Sequence, residues 1–115
     1  MLKRAKELPQ APKEKIRGGV GKALAVDYLS PDEMAGVLAA SRITLEPGAS
    51  IGEHPHPETE ELYLVLEGTG TGFLEGEAFE VGPGDAWVCK AGQTHGLQND
   101  PREPLTFFAV LTRKG

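Results

Sequence analysis

GASIGEHPHPETEELYLVLEG, residues Gly48 to Gly68, holds two of the three histidines of the chain and ends in a strand apolar on both faces. Side chains alternate across a strand. Glu61, Tyr63, Val65 and Glu67 therefore share one face of "ELYLVLE", and Leu62, Leu64 and Leu66 share the other. A strand apolar on both sides is covered on both sides. If the Glu61 face looks into a cavity, the leucines need a second cover.

The same rhythm runs outward. Fifteen glycines and nine prolines recur between short apolar stretches, which is turn punctuation in an all-β chain. "KALAVDYL" predicts a first strand, and "SPDEMAG" a turn with Ser30 as N-cap and Pro31 after it. "VLAASRITLEPG" ends at Pro47-Gly48. "TGTGFLEGEAFEVGPGD" predicts two short strands joined near Gly76, and "AWVC", "THGLQN" and "LTFFAVLT" follow. "GTGTG" sits between strands with no helix after it, so it is not a phosphate loop. Strands with tight turns and no long helix predict a sandwich or barrel. Residues 1–20 predict an extended arm with no core of its own, and 21–115 a single barrel domain.

The net charge of -5 argues against a nucleic-acid partner. No apolar run reaches the roughly 20 residues of a membrane span. "MLKRAKELPQ" lacks the apolar segment of a secretory signal, and the single cysteine, Cys89, excludes an internal disulfide, so a cytoplasmic protein is expected.

His54 and His56 lie on one face if their segment is extended, so two imidazoles converge. Glu61 opens the next strand, and His95 is the third histidine. Three neutral imidazoles and one carboxylate suit a divalent first-row metal. Four protein ligands leave coordination positions open for water, substrate or dioxygen.

The full spacing resembles the cupins. Their first motif reads glycine, five residues, HxH, three or four residues, Glu, six residues, glycine. Here it is Gly48, "ASIGE", His54-Pro55-His56, "PETE", Glu61, "LYLVLE", Gly68. Their second reads glycine, five residues, Pro-x-Gly, two residues, His, three residues, Asn. Here it is Gly84, "DAWVC", Lys90-Ala91-Gly92, "QT", His95, "GLQ", Asn99. Lys90 replaces the proline, which puts the rigidity of one turn in question but no ligand. The resemblance covers about Val37 to Leu111. It implies a double-stranded β-helix, the cupin jelly-roll barrel. It also implies one divalent transition metal per chain (Fe, Mn, Ni, Zn or Cu) on His54, His56, Glu61 and His95. The HxH pair and Glu61 are expected on neighbouring strands, with His95 facing them. Six residues to Gly68 select Glu61 over Glu60, which alternation turns away.

Around that centre, Tyr63, Val65, Arg42 and Phe73 are candidates for the substrate pocket, Arg42 as a grip on a carboxylate. Phe73 and Trp87 also fit plain packing. Tyr63 or Glu53 would transfer protons, Gln93 and Asn99 would orient His95, and Cys89 reads as a small buried apolar residue. The expected function is a metal-dependent enzyme, dioxygenase-type or isomerase-like, acting on a small oxygen-rich ligand chelated to the metal. The alternative is a non-catalytic binding or sensing protein. The leucine face and the apolar "ALAVDYL" predict a homodimer, in which the arm adds a strand to the partner's sheet edge.

Overall fold

A computed structural model describes residues 1–100 and 102–115. Among the described residues, ten strands form two antiparallel sheets: β1 (Ala11–Glu14), β2 (Lys22–Asp27), β3 (Val37–Leu45), β4 (Ser50–Pro55), β5 (Thr59–Glu67), β6 (Gly70–Leu74), β7 (Glu77–Val81), β8 (Ala86–Cys89), β9 (Thr94–Asn99) and β10 (Leu105–Arg113). One sheet has the order β1-β2-β3-β10-β5-β8 and the other β4-β9-β6-β7. Sequence neighbours β4 and β5 lie in different sheets, and so do β5 and β6, so the chain repeatedly crosses between layers. This is the expected double-stranded β-helix.

The core lies between the sheets. Leu45, Val65, Leu97, Leu105 and Phe107 are all but sealed from solvent. Tyr63 packs edge-on against Phe107 and Trp87, with ring centroids 4.9 and 5.4 Å apart. Alternation on β5 holds as expected: Tyr63 and Val65 are buried, whereas Leu66 on the opposite face is 42% exposed. That outer face continues across cross-strand neighbours, from Val88 to Leu62 to Val110 and from Ala86 to Leu64 to Phe108.

The first twenty residues carry β1, which pairs with β2 at the edge of the larger sheet. A short 3-10 turn follows, Ile16–Gly18, and Ile16 packs against the core. The turn sits backbone to backbone on β4. A Cβ on Gly52 would fall 2.2 Å from the Arg17 carbonyl oxygen, and one on Gly19 would fall 2.2 Å from that of Ser50. Only glycine permits this approach.

The turn lacking its motif proline is closed another way. Gln93 N–H donates to the Lys90 carbonyl at 2.9 Å, with Gly92 at φ +90°. Lys90 N–H, which a proline would not have, donates to Gln93 Oε1 at 2.9 Å. "SPDEMAG" forms turns and bends, with Ser30 N–H donating to Glu33 Oε1 at 2.7 Å.

Candidate metal centre

A bulge brings His54 inward. Ile51 pairs with Leu97 and His54 with His95, so β4 spends one residue more than β9 between those pairs. Three residues along a regular strand would put Ile51 and His54 on opposite faces. The extra residue restores both to the interior, where Ile51 is 3% and His54 6% exposed. The bulge also presents the Gly52 carbonyl to His54 Nδ1 at 2.6 Å. A carbonyl only accepts, so Nδ1 carries the proton, and in the neutral ring Nε2 is left with its lone pair. His56 follows the end of β4 and is held by two backbone bonds to the Gly92–Gln93 turn. Its Nδ1 meets Thr59 Oγ1 at 2.8 Å.

His54 and His95 are thus cross-strand neighbours in one sheet, and Glu61 reaches the site from β5 in the other. This corrects the expectation that Glu61 neighbours the HxH pair and that His95 faces them. The consecutive strands β4 and β5 lie in different sheets, so adjacency in sequence is not adjacency in space.

The three Nε2 atoms form a near-equilateral triangle: His54–His56 3.1 Å, His56–His95 3.0 Å, His54–His95 3.1 Å. Glu61 Oε1 lies 3.1 Å from the Nε2 atoms of both His56 and His95. Glu61 and His54 make no contact within 4.0 Å, although ligand atoms of all four residues lie within 4.8 Å of one another. Five edges are short and one is long. A tetrahedron has six equal edges, about 3.4 Å for metal–ligand bonds of about 2.1 Å. Four vertices of an octahedron that include one opposite pair have five edges of about 3.0 Å and one of about 4.2 Å at that bond length. Were an ion bound, His54, His56, Glu61 and His95 would hold it, and this edge pattern would suit a metal of octahedral preference with positions left for other ligands. The lone pair on His54 Nε2 points among the other three donor atoms, an arrangement that a cation between them would stabilise. The group is positioned to bind one metal ion.

Burial lowers the pKa of His54, against the opposing effect of the Gly52 hydrogen bond, and burial likewise lowers that of His56. Both rings therefore stay neutral and ready to ligate at neutral pH. Tyr63 stacks on His95 with centroids 4.4 Å apart and planes 24° apart. Its burial, and next the nearby Glu61 charge, push its hydroxyl well above the usual range.

A small cavity of about 130 Å³ opens onto the group, walled by Ile16, Ile43, Ile51, Ala109 and Leu111, with Arg17 and Tyr63 as its further polar lining. That is space for about four water molecules at ~30 Å³ each. Of the expected pocket residues, Tyr63 lines it. Val65 is fully buried in the core instead. Arg42 lies one residue from Ile43 and pairs with Phe108 and Val26, which puts it on the outer face of the sheet. Phe73 on β6 does not line the cavity, and Glu53 is solvent-exposed. Gln93 ties its side chain to Lys90, and Asn99 Nδ2 donates to the carbonyls of Leu45, Glu46 and Glu103. Neither orients His95, whose Nδ1 has no partner among the described residues. The outer partners the sequence reading missed are the Gly52 carbonyl and Thr59. Cys89 is buried as expected and donates to the Gln93 carbonyl at 3.3 Å.

Fold and site together define a double-stranded β-helix with a three-histidine, one-carboxylate group positioned to bind a metal ion. The chain matches the Cupin domain family over residues 41–111 and belongs to it. It is 30% identical to an oxalate-binding protein of Thermotoga maritima over 96% of this chain and 93% of that one. It is 32% identical to an (R)-mandelonitrile lyase of Granulicella tundricola over 75% of this chain and 64% of that one. A crystal structure of a predicted oxalate decarboxylase from Thermotoga maritima superposes with a TM-score of 0.93 at 29% identity, covering 98% of this chain and 99% of that one.

Proposed function

We propose that this cupin holds one divalent transition metal on His54, His56, Glu61 and His95 and uses it to bind a small oxygen-chelating carboxylate of the oxalate class. The observation that carries this reading is the pattern of five short edges and one long. A metal held this way would keep coordination positions for a ligand, and a small cavity adjoins the group. The name of the Thermotoga maritima relative, an oxalate-binding protein matched along nearly its whole length, supports the same ligand class.

A divalent ion at this centre supplies a Lewis acid, or an oxygen-activating centre if it is iron. The chain's own residues supply shape and charge. Gly52 and Thr59 fix the rings of His54 and His56, and the cavity beside them has mostly apolar walls. Among the described residues, the cavity holds no carboxylate besides Glu61 and no imidazole besides the three ligands. Tyr63 keeps its proton, so it serves as a donor and not as a base. Binding is therefore better supported than isomerisation, which needs a proton acceptor beside the ligand.

Calorimetric titration of oxalate into Mn(II)-loaded protein tests the reading. One oxalate per metal is expected, with no heat of binding in metal-free protein or in His54→Ala. Fe(II)-loaded protein exposed to oxygen should return the oxalate intact. Oxygen uptake with loss of oxalate would instead make the protein an oxidising enzyme.

We also propose that two copies pair through the outer face of the larger sheet. Leu24, Leu66 and Val88 are 45%, 42% and 46% exposed on that sheet. The apolar rows Val88–Leu62–Val110 and Ala86–Leu64–Phe108 form a patch on that face of a kind monomers seldom expose.

A further inference from the structure

Arg17 stands outside both cupin motifs, in the 3-10 turn that packs on β4, yet it lines the metal cavity with His54, His56, Glu61 and Tyr63. Its side chain is exposed and makes no ion pair or hydrogen bond to any described residue. Its backbone is left-handed, at φ 52° and ψ 38°. That conformation disfavours a long side chain and suits glycine or asparagine. Lys15 in the same turn is left-handed too, but of the two only Arg17 lines the cavity, with its side chain unpaired, and this invites a functional explanation.

We propose that Arg17 is a specificity-determining residue that selects dianionic chelators. The inference rests on the metal-chelate reading above and adds to it the charge of the ligand. A divalent ion with the Glu61 carboxylate and three neutral imidazoles leaves one net positive charge at the centre. Arg17 adds a second. A dicarboxylate that chelates the metal through one oxygen of each carboxylate neutralises both charges and keeps its outer oxygens free. A guanidinium matches such a pair of oxygens with two parallel N–H donors, and apart from the ligand group and Tyr63 the rest of the cavity wall is isoleucine, leucine and alanine. A monoanionic chelator such as glycolate fills the same metal positions but leaves one charge uncompensated. The tight seating of Gly19 and Gly52 holds the turn in place, which fixes the Arg17 backbone at the mouth of the cavity.

The test compares oxalate and glycolate by calorimetry on Mn(II)-loaded wild type, Arg17→Asn and Arg17→Lys, with melting temperatures of the metal-free proteins alongside. Wild type should prefer oxalate. Arg17→Asn should lose oxalate affinity by about tenfold or more, with glycolate and Mn(II) affinities nearly unchanged. Arg17→Lys should fall between, having charge without the paired donors. Because asparagine tolerates the left-handed backbone, the melting temperature of Arg17→Asn should equal or exceed that of wild type. This marks the loss as one of recognition and not of folding. Equal oxalate affinity in wild type and Arg17→Asn would overturn the role of Arg17 and leave the metal-chelate reading standing. Binding of neither anion by metal-loaded wild type would overturn that reading and this inference with it.

Discussion

His54 and His56 were legible because HxH spacing is local: two residues apart in extended chain is one face. Glu61 was legible from its distance to Gly68 and from alternation. That register carries a prediction. Glu61→Gln should weaken metal binding by more than the roughly 10- to 100-fold that loss of an outer hydrogen bond costs. Glu60→Gln should change it by no more than about twofold, as surface substitutions do, because Glu60 Oε2 accepts from the Ala91 N–H outside the ligand group. A metal titration of both variants checks the pair. Gln93 and Asn99 are near His95 in sequence, but their side chains bond elsewhere in space. Asn99 lies four residues along the same strand, about 13 Å away at 3.3 Å per residue. Cys89 yields a second prediction. Burial, and next the charges of Glu61 and Glu75, push its thiol up to about 11. At pH 8 the native protein should therefore react with a disulfide reagent far more slowly than the denatured chain, which should react at once.

Strands were legible from turn punctuation and alternation, and so was the hairpin near Gly76, which joins β6 to β7. The β4 bulge was not, because HxH parity reads the same with or without it. Only the pairing with β9 reveals the extra residue. The role of the N-terminal turn was hidden for a related reason. Arg17 reaches the site through a contact with Gly52, and no local pattern encodes a contact between segments so far apart. Gly52→Ala tests that packing, since its methyl group would overlap the Arg17 carbonyl. It should destabilise the protein by about 1–3 kcal/mol as overpacking does and lower oxalate affinity as Arg17→Asn does. Urea denaturation together with the oxalate titration measures both effects.

The whole barrel was legible because the two motifs fix four ligands and several turns in order, and a jelly roll is the fold that gathers them. The assembly is a prediction at this scale. Sedimentation equilibrium should find a dimer at micromolar concentrations, and Leu64→Glu should split or unfold it, since a buried charge there has no partner. A single 12.3 kDa species would refute the dimer. Metal links the site to the stability of the whole fold, because the unfolded chain has no assembled site. At a hundredfold excess over its dissociation constant the ion should add about 2.7 kcal/mol. The most direct measurement is calorimetric titration of Mn(II) into chelator-stripped wild type and His95→Ala, each followed by a thermal melt. One metal per chain with a raised melting temperature, both lost in His95→Ala, is the predicted result. An unchanged melting curve in wild type shown to hold its metal, or a full equivalent bound by His95→Ala, would contradict the three-histidine, one-carboxylate centre.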